Sequence, residues 1–302
     1  MTESTDSKPQ DSWAGVGYAL TAYLMWGFLP VYMKQLAHIS PVEVIAHRVI
    51  WSVPIALVVL ALTRQLAAFG QIWRQPSMLA MGAVTAGLIS INWGLYIWAI
   101  GSGHALQAAL GYYINPLFSI FLGAVLLRER LAPLQWAAIG LAAVGVAVMA
   151  WQTGAVPWVA LGLTVTWGFY AYLKRSLPIG ANQGFMLEVT ILLVPSLAWL
   201  AWLQVTGTGH FVMGNGWDTG LLMIAGVFTA APLMIYANGA KRLRLSTIAI
   251  MQYIAPTMIF VTATLVFDEP LGVPQMVAFG FIWAALILYT TVLVRGMRRQ
   301  GG

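Results

Sequence analysis

The segment Tyr113-Ile114-Asn115-Pro116 recurs as Tyr253-Ile254-Ala255-Pro256, with residue numbers that differ by 140. A period of this length is too long for a solenoid repeat and indicates a duplicated half. The sequence therefore predicts two related halves. Further identities recur at this offset or within one residue of it: Tyr96 and Tyr236, Glu129 and Glu269, Lys34 and Lys174, and Trp26-Gly27-Phe28 and Trp167-Gly168-Phe169.

The composition is that of a membrane protein. Hydrophobic residues make up 60% of the chain and charged residues 8%, whereas soluble domains carry about 25% charged residues. No Asp, Glu, Lys or Arg occurs between Arg130 and Lys174, which leaves room for two spans of roughly 20 residues each. The formal net charge is +6, but the basic residues lie near the predicted helix ends, so we expect no nucleic-acid binding.

Apolar runs predict an all-α integral membrane protein with ten transmembrane helices. Five fall in each half, and because five is odd, the halves form two inverted five-helix repeats. The predicted organisation is a tail at 1–12, a first repeat at 13–150, the turn Trp151–Gly154, a second repeat at 155–294 and a basic tail at 295–302. The predicted spans are 13–33, 43–62, 77–100, 104–127, 133–150, 155–173, 184–203, 218–240, 245–267 and 273–294.

The distribution of basic residues predicts the orientation. With the N-terminus in the cytoplasm, thirteen Lys and Arg residues fall on the inner side, and only Lys34 and Arg48 on the outer side. This asymmetry follows the positive-inside rule. We therefore expect a multi-pass protein of the bacterial inner membrane with both termini in the cytoplasm.

Ionisable residues in or near the spans are candidates for ion pairs or for ion coupling. Glu43 and His47 lie four residues apart on one helix face, so Glu43 either pairs with His47 or reaches Arg48. Alternatively these groups line a polar path, as intramembrane charges commonly do. For Glu188 the simpler interpretation is a pair with Lys174 or Arg175. The candidates are Lys34, Glu43, His47, Arg48, Lys174 and Glu188.

Prolines inside the spans predict hinges. Pro116 and Pro256, at equivalent positions of the repeat, each remove a backbone donor, and freed backbone is tolerated in a membrane only against protein or water. Amides and rings nearby favour a cavity lining, although small and polar residues also join helices by close packing. The predicted solute-binding residues are Trp26, Asn92, Tyr96, Tyr112, Asn115, Trp167, Tyr236, Gln252 and Tyr253.

Several segments resemble the drug/metabolite transporter superfamily, specifically the EamA-type branch and its RarD-like permeases. The resemblance covers nearly the whole chain and implies ten helices in two inverted halves around a central cavity. It also implies movement of small metabolites or drugs, often outward, with the first, third, fourth, sixth, eighth and ninth spans around the cavity. The segments are 22–30 (AYLMWGFLP), 46–52 (AHRVIWS), 91–93 (INW), 110–117 (LGYYINPL), 128–131 (RERL) and 252–257 (QYIAPT).

The sequence favours a secondary transporter over other classes of protein. It has no GxxxxGK[ST] motif for nucleotide binding, no HExxH or GxSxG motif, and no cysteine. We expect neither an enzyme nor a cofactor. A scaffold or sensor without transport is the main alternative. The expected partners are a small-molecule solute, a proton or another coupling ion, and the lipid bilayer, with a homodimer left open.

Overall fold

The computed structural model describes residues 12–126, 128, 131–212, 216–240, 242–243 and 251–300, and within them all regular secondary structure is helical. Eight of these helices are long and apolar enough to cross a membrane. The helices are α1 (Trp13–Gln35), α2 (Pro41–Leu62), α3 (Leu66–Ile72), α4 (Pro76–Gly101), α5 (Ala105–Leu126), α6 (Pro133–Thr153), α7 (Trp158–Ser176), α8 (Ala181–Thr206), α9 (Gly216–Ala240), α10 (Ile254–Leu265) and α11 (Val273–Gln300).

Each of the ten predicted spans overlaps one of these helices, which confirms the all-α membrane fold. Helix α3 was not predicted; it is too short to span and buries Phe69 and Ile72. The predicted ninth span, 245–267, corresponds to the shorter α10, and 244–250 lie outside the described residues. Lys8, Glu129, Arg130, Lys241 and Arg244 also lie outside them.

Several helices extend beyond the limits predicted for their spans, and α6 and α11 show why. Helix α6 continues to Thr153, beyond the predicted end at 150, and Gly154 terminates it with a φ of 66°. Glycine reaches this left-handed conformation without a steric penalty. Helix α11 continues through most of the predicted tail at 295–302. Hydropathy marks where apolar residues stop, but a helix can extend into water with polar helix-forming residues.

Helices of the first half pack mainly against helices of the second half. Helix α6 packs against α11 and α2 against α8, and each of these pairs joins a helix to its own repeat counterpart. Helix α1 packs against α9, and their repeat counterparts α7 and α4 also pack against each other. Helix α5 packs against α7, and their counterparts α10 and α1 do the same. Each of these helix contacts thus recurs between the corresponding helices of the other half, as an inverted repeat requires.

Two glycine contacts repeat this relationship in atomic detail. Gly27 of α1 lies against Met258 of α10, and Gly168 of α7 lies against the ring of Phe118 of α5. Phe118 and Met258 are themselves repeat counterparts, at the offset of 140. At both glycines a Cβ atom would collide with the facing side chain. The glycine that follows each deep tryptophan therefore allows the two helices to approach closely.

The two predicted hinge prolines lie in different settings. Pro116 is inside the uninterrupted helix α5, where it leaves the Tyr112 carbonyl without its usual donor. Pro256 lies in the first turn of α10, after a turn at Gln252 and Tyr253. Proline is tolerated in a first turn because the N–H it lacks has no helical partner there. Met251 is helical, and the break at Gln252 and Tyr253 directly precedes Pro256, so the hinge at this proline stays a prediction.

Candidate functional site

A small cavity lies between α1, α2, α4, α7 and α9, near the middle of these helices. Its volume is about 50 Å³, enough for a few water molecules and far below the roughly 300–1,000 Å³ of ligand pockets. Both halves contribute to its walls, which are mainly aromatic. The lining residues are Trp26, Arg48, Ile89, Trp93, Trp167, Tyr170, Phe228, Thr229 and Leu233.

Arg48 is the charged residue of this cavity. It is 3% exposed, and its Nε donates to Thr229 Oγ1 at 2.9 Å. The guanidinium lies over the ring of Trp93, 4.5 Å from the ring centroid, a cation–π contact that strengthens when water is excluded. The Nη1 atom is buried and has no hydrogen-bond partner among the described residues. The side chain is held from two sides while the Nη1 donor remains unsatisfied.

Close contact between α2 and α9 positions Arg48. The backbone of Trp51 lies where a Cβ atom of Gly226 would be, so only glycine fits there. Ser52 donates its hydroxyl to the Arg48 carbonyl at 2.6 Å and lies 3.4 Å from the Gly226 carbonyl. Because the helices touch here, Thr229, one turn further along α9, comes within reach of the guanidinium.

Of the nine predicted solute-binding residues, Trp26 and Trp167 line this cavity. Trp26 packs with Tyr236, another predicted residue, at a centroid distance of 5.6 Å, and with Tyr23 at the same distance. Trp167 lies 5.7 Å from Tyr170. The two tryptophans are repeat counterparts, so the cavity receives a similar ring from each half.

Asn92 does not line the cavity, because its amide joins two helices. Its Nδ2 donates to the Leu163 carbonyl at 3.0 Å and to Thr166 Oγ1 at 2.9 Å. These bonds connect α4 to α7. Asn92 Oδ1 is buried without a partner in the described part of the chain.

The other five predicted solute-binding residues lie on α5 and around α10 or pack against them, outside the cavity lining. Tyr96 and Tyr112 have rings 5.8 Å apart, while Gln252 and Tyr253 form the turn before α10. Three buried polar atoms here have no partner among the residues described; they are Tyr96 Oη, Asn115 Oδ1 and Tyr253 Oη.

Glu43 pairs with a histidine that the sequence did not indicate. It is 1% exposed, and its carboxylate accepts from the backbone N–H of His210 at 2.7 Å and lies 2.9 Å from His210 Nδ1. The predicted pairing of Glu43 with His47 or Arg48 is therefore wrong. His47 instead accepts a hydrogen bond from Trp51 Nε1 at 3.3 Å and packs against Phe211.

A second histidine–carboxylate contact lies beside the first. His38 Nε2 is 3.1 Å from Asp218 Oδ2, and the rings of His38 and His210 are 5.8 Å apart. In both contacts one residue belongs to the first half and the other to the second. These four residues form the outer latch, named for the side that the positive-inside rule assigns to the outside.

The two repeat-equivalent lysines have different partners. Lys34 donates to the Ile100 carbonyl at 3.3 Å, near the end of α4, and lies over the ring of Phe267. Lys174 forms an ion pair with Glu188 at 2.7 Å, which confirms the simpler interpretation of Glu188. Tyr170 donates to the same carboxylate at 3.2 Å.

Comparison with known proteins agrees with this architecture. Residues 13–151 match the model of the EamA-like transporter family. Protein RarD of Escherichia coli is 39% identical over 287 residues, covering 94% of this chain and 96% of the relative. The chain belongs to the EamA-like transporter family. Its similarity to RarD proteins makes it a RarD-like permease, a multi-span membrane protein with bacterial homologues.

Other relatives of this EamA-like transporter include a protein named only as a transporter and a further RarD protein. An uncharacterized transporter of Pseudomonas aeruginosa is 38% identical over 285 residues, with 94% of this chain and 96% of that protein covered. A chloramphenicol-sensitive protein RarD of the same organism is 31% identical over 290 residues, with 95% and 96% covered. One solved crystal structure, at 19% identity, matches with a TM-score of 0.59 over 94% of this chain and 97% of the other, which shows the fold alone.

The cavity of this EamA-like transporter includes residues that sequence reasoning missed. The sequence predicts only ion pairing or coupling for Arg48, and it predicts no role for Trp93. A signal was present in the repeat: Ile89 and Thr229 are counterparts at the offset of 140, as are Trp93 and Leu233, and all four line the cavity. Residues at matching positions of two inverted halves meet near the pseudo-two-fold axis.

Proposed function

We propose that the protein is a secondary transporter that carries small organic solutes outward across the bacterial inner membrane by alternating access. The observation that supports this most is the position of the cavity, at mid-depth between two interleaved inverted halves. Transporters with such repeats bind their solutes near the bilayer midplane at the repeat interface. Both termini are proposed to lie in the cytoplasm, because of the distribution of basic residues.

The small cavity corresponds to a closed state in this mechanism. A solute needs several hundred Å³, so the helices around Trp26 and Trp167 must separate before it enters. The outer latch is the set of polar contacts that would break when the cavity opens to the outside. Because each of its contacts joins the α1–α2 region to the α8–α9 region, a separation of these regions at the outer end would break both.

Site-specific labelling tests alternating access, and the chain has no cysteine to interfere. A cysteine placed at Leu233, in the cavity, should react with a membrane-impermeant thiol reagent added to either side of oriented vesicles. Adding Glu43→Gln and Asp218→Asn, which weaken the outer latch, should speed labelling from outside and slow it from inside. A cysteine at Leu286, buried in α11 outside both the cavity lining and the outer latch, is the control and should react from neither side.

The result also separates a transporter from a scaffold or sensor. Alternating access requires that one cavity residue be reached from both sides and that the two rates change in opposite directions. If the Leu233→Cys protein reacts from one side alone, with or without the latch substitutions, the cavity is a one-sided pocket. A carrier mechanism would then have to be abandoned.

A further inference from the structure

We infer that the solute carries a net negative charge, with a carboxylate or phosphate group that Arg48 binds and a planar apolar part that the surrounding rings cover. This inference rests on the proposed transport function and names the class of its substrate. It is carried by the geometry of the central cavity, in particular by an arginine whose charge has no counterpart there.

Arg48 lacks a counter-ion within the described part of the chain. The ion pairs found there join other groups, and the carboxylates of α2 and α8 have other partners: Glu43 contacts His210, and Glu188 contacts Lys174. Arginine does not lose its proton in proteins, and a buried unpaired charge is strongly unfavourable. A site that keeps such a charge beside a cavity is complementary to an anion.

The orientation of the guanidinium favours recognition over mere packing. Its Nε is bonded to Thr229, and its face is covered by Trp93, so the side chain cannot turn away to another partner without losing both contacts. Thr229 is itself fixed, because its hydroxyl donates to the Ala225 carbonyl at 2.7 Å. The buried Nη1 therefore remains as a preorganised donor for a charge-assisted hydrogen bond.

The other lining residues determine the chemical character of the part of the solute that Arg48 does not bind. Trp26, Trp93, Trp167, Tyr170 and Phe228 present aromatic surface, which binds planar apolar groups by stacking and edge contacts. No acidic side chain is among the lining residues of the described structure, so a cationic group would meet Arg48 without compensation. The cavity thus selects anions over neutral molecules, and neutral molecules over cations.

Release of solutes from proteoliposomes tests the inference even though the substrate is not identified. Vesicles containing the purified protein are loaded with the soluble metabolite extract of bacterial cells, and released compounds are separated by charge and identified by mass spectrometry. Protein-free vesicles give the background. We expect the protein-dependent compounds to be anions that contain a ring or another planar group, and the masses will distinguish carboxylates from phosphates.

Substitutions of Arg48 give the second measurement. Arg48→Gln should lower release of these anions by about tenfold or more, because a charge-assisted hydrogen bond is lost. Arg48→Lys should retain part of the release, since lysine keeps the charge but not the planar stacking on Trp93. Arg74→Gln removes the same charge from an exposed position and is the matched control, with unchanged release.

Each outcome decides between separate claims. Protein-dependent release of mainly neutral or cationic compounds overturns the inference but leaves the transporter intact. Full anion release by a folded Arg48→Gln protein also overturns it. Release no greater than that from protein-free vesicles counts against the proposed transport function itself. If Arg48→Gln does not fold, the charge class found with the unmodified protein and the Arg48→Lys result still decide the question.

Discussion

Arg48 and Glu188 occupy equivalent positions in the two halves, at the repeat offset of 140, and carry opposite charges. Glu188 is neutralised by Lys174, 2.7 Å away. The counterpart of Lys174 is Lys34, which instead donates to a carbonyl of α4. The second half therefore contains its own charge compensation, whereas the first half leaves Arg48 facing the cavity. The duplication produced a symmetric scaffold on which one charged position diverged.

Lys174 and Glu188 are predicted to be coupled in their contributions to the free energy of unfolding. Lys174→Met leaves a buried carboxylate unpaired and should destabilise the protein by up to about 3 kcal/mol. Glu188→Gln should cost less, because the Lys174 side chain is 21% exposed and can turn toward water. The double variant should regain much of the loss of Lys174→Met. Thermal unfolding in detergent measures all three, and strictly additive losses would contradict the coupling.

Gly226 is predicted to be intolerant of any side chain. Gly226→Ala places a Cβ atom on the Trp51 backbone, so α2 and α9 must separate at a cost of about 1–3 kcal/mol. The Arg48–Thr229 bond should lengthen as a result. Gly220→Ala, in the same helix but with open space around it, is the control and should raise stability by up to about 1 kcal/mol. Similar melting temperatures for the two variants would argue against close contact here.

Glu269 is predicted to stabilise the start of α5 from the other half of the chain. Its two carboxylate oxygens accept the backbone N–H groups of Ala105 and Leu106 at 2.8 and 2.9 Å. Glu269→Ala should lower stability by about 1–2 kcal/mol, as loss of a helix cap does. Glu269→Gln should lose less because one oxygen acceptor remains. The neighbouring exposed Asp268, changed to Asn, should leave the melting temperature unchanged; a comparable fall would indicate a general charge effect.

The two repeat-equivalent prolines are predicted to behave differently. Pro116→Ala restores a donor inside α5 and should stabilise the straight helix by up to about 3 kcal/mol, slowing exchange between inward- and outward-open states. Pro256→Ala lies in a first turn and should have little effect. Labelling rates of the Leu233→Cys protein from each side report the exchange. Equal slowing by both substitutions would mean that α10 bends at Pro256 during transport.

The helices and the repeat were predictable because hydropathy and spacing determine them directly. Apolar runs mark the spans, and the repeat relates Trp26 to Trp167, both of which line the cavity. The repeat also relates Gly27 to Gly168, and both make close helix contacts. These features depend on local composition and on matching positions, which a single sequence contains.

The polar partners were not predictable in the same way. Glu43 bonds to His210, which is 167 residues away in the segment between α8 and α9. No local sequence pattern predicts where that segment lies. Asn92 was expected to face a solute, but its amide bonds Leu163 and Thr166 on α7. An amide inside a membrane protein satisfies its hydrogen bonds equally well with a cavity or with a neighbouring helix. The choice between them depends on helix rotation, which hydropathy does not determine.

The interleaving of the halves has a consequence for biosynthesis. Helix α6, which completes the first half, packs chiefly against α11, and α1 finds its main partners in α9 and α10. These partners are translated late, so a ribosome delivers five helices to the membrane before most of their neighbours exist. Long sequence separations of this kind slow folding and prolong exposure of unfinished surfaces. The nascent first half must therefore wait in the bilayer, and a chain truncated before α11 should be a substrate for membrane quality-control proteases.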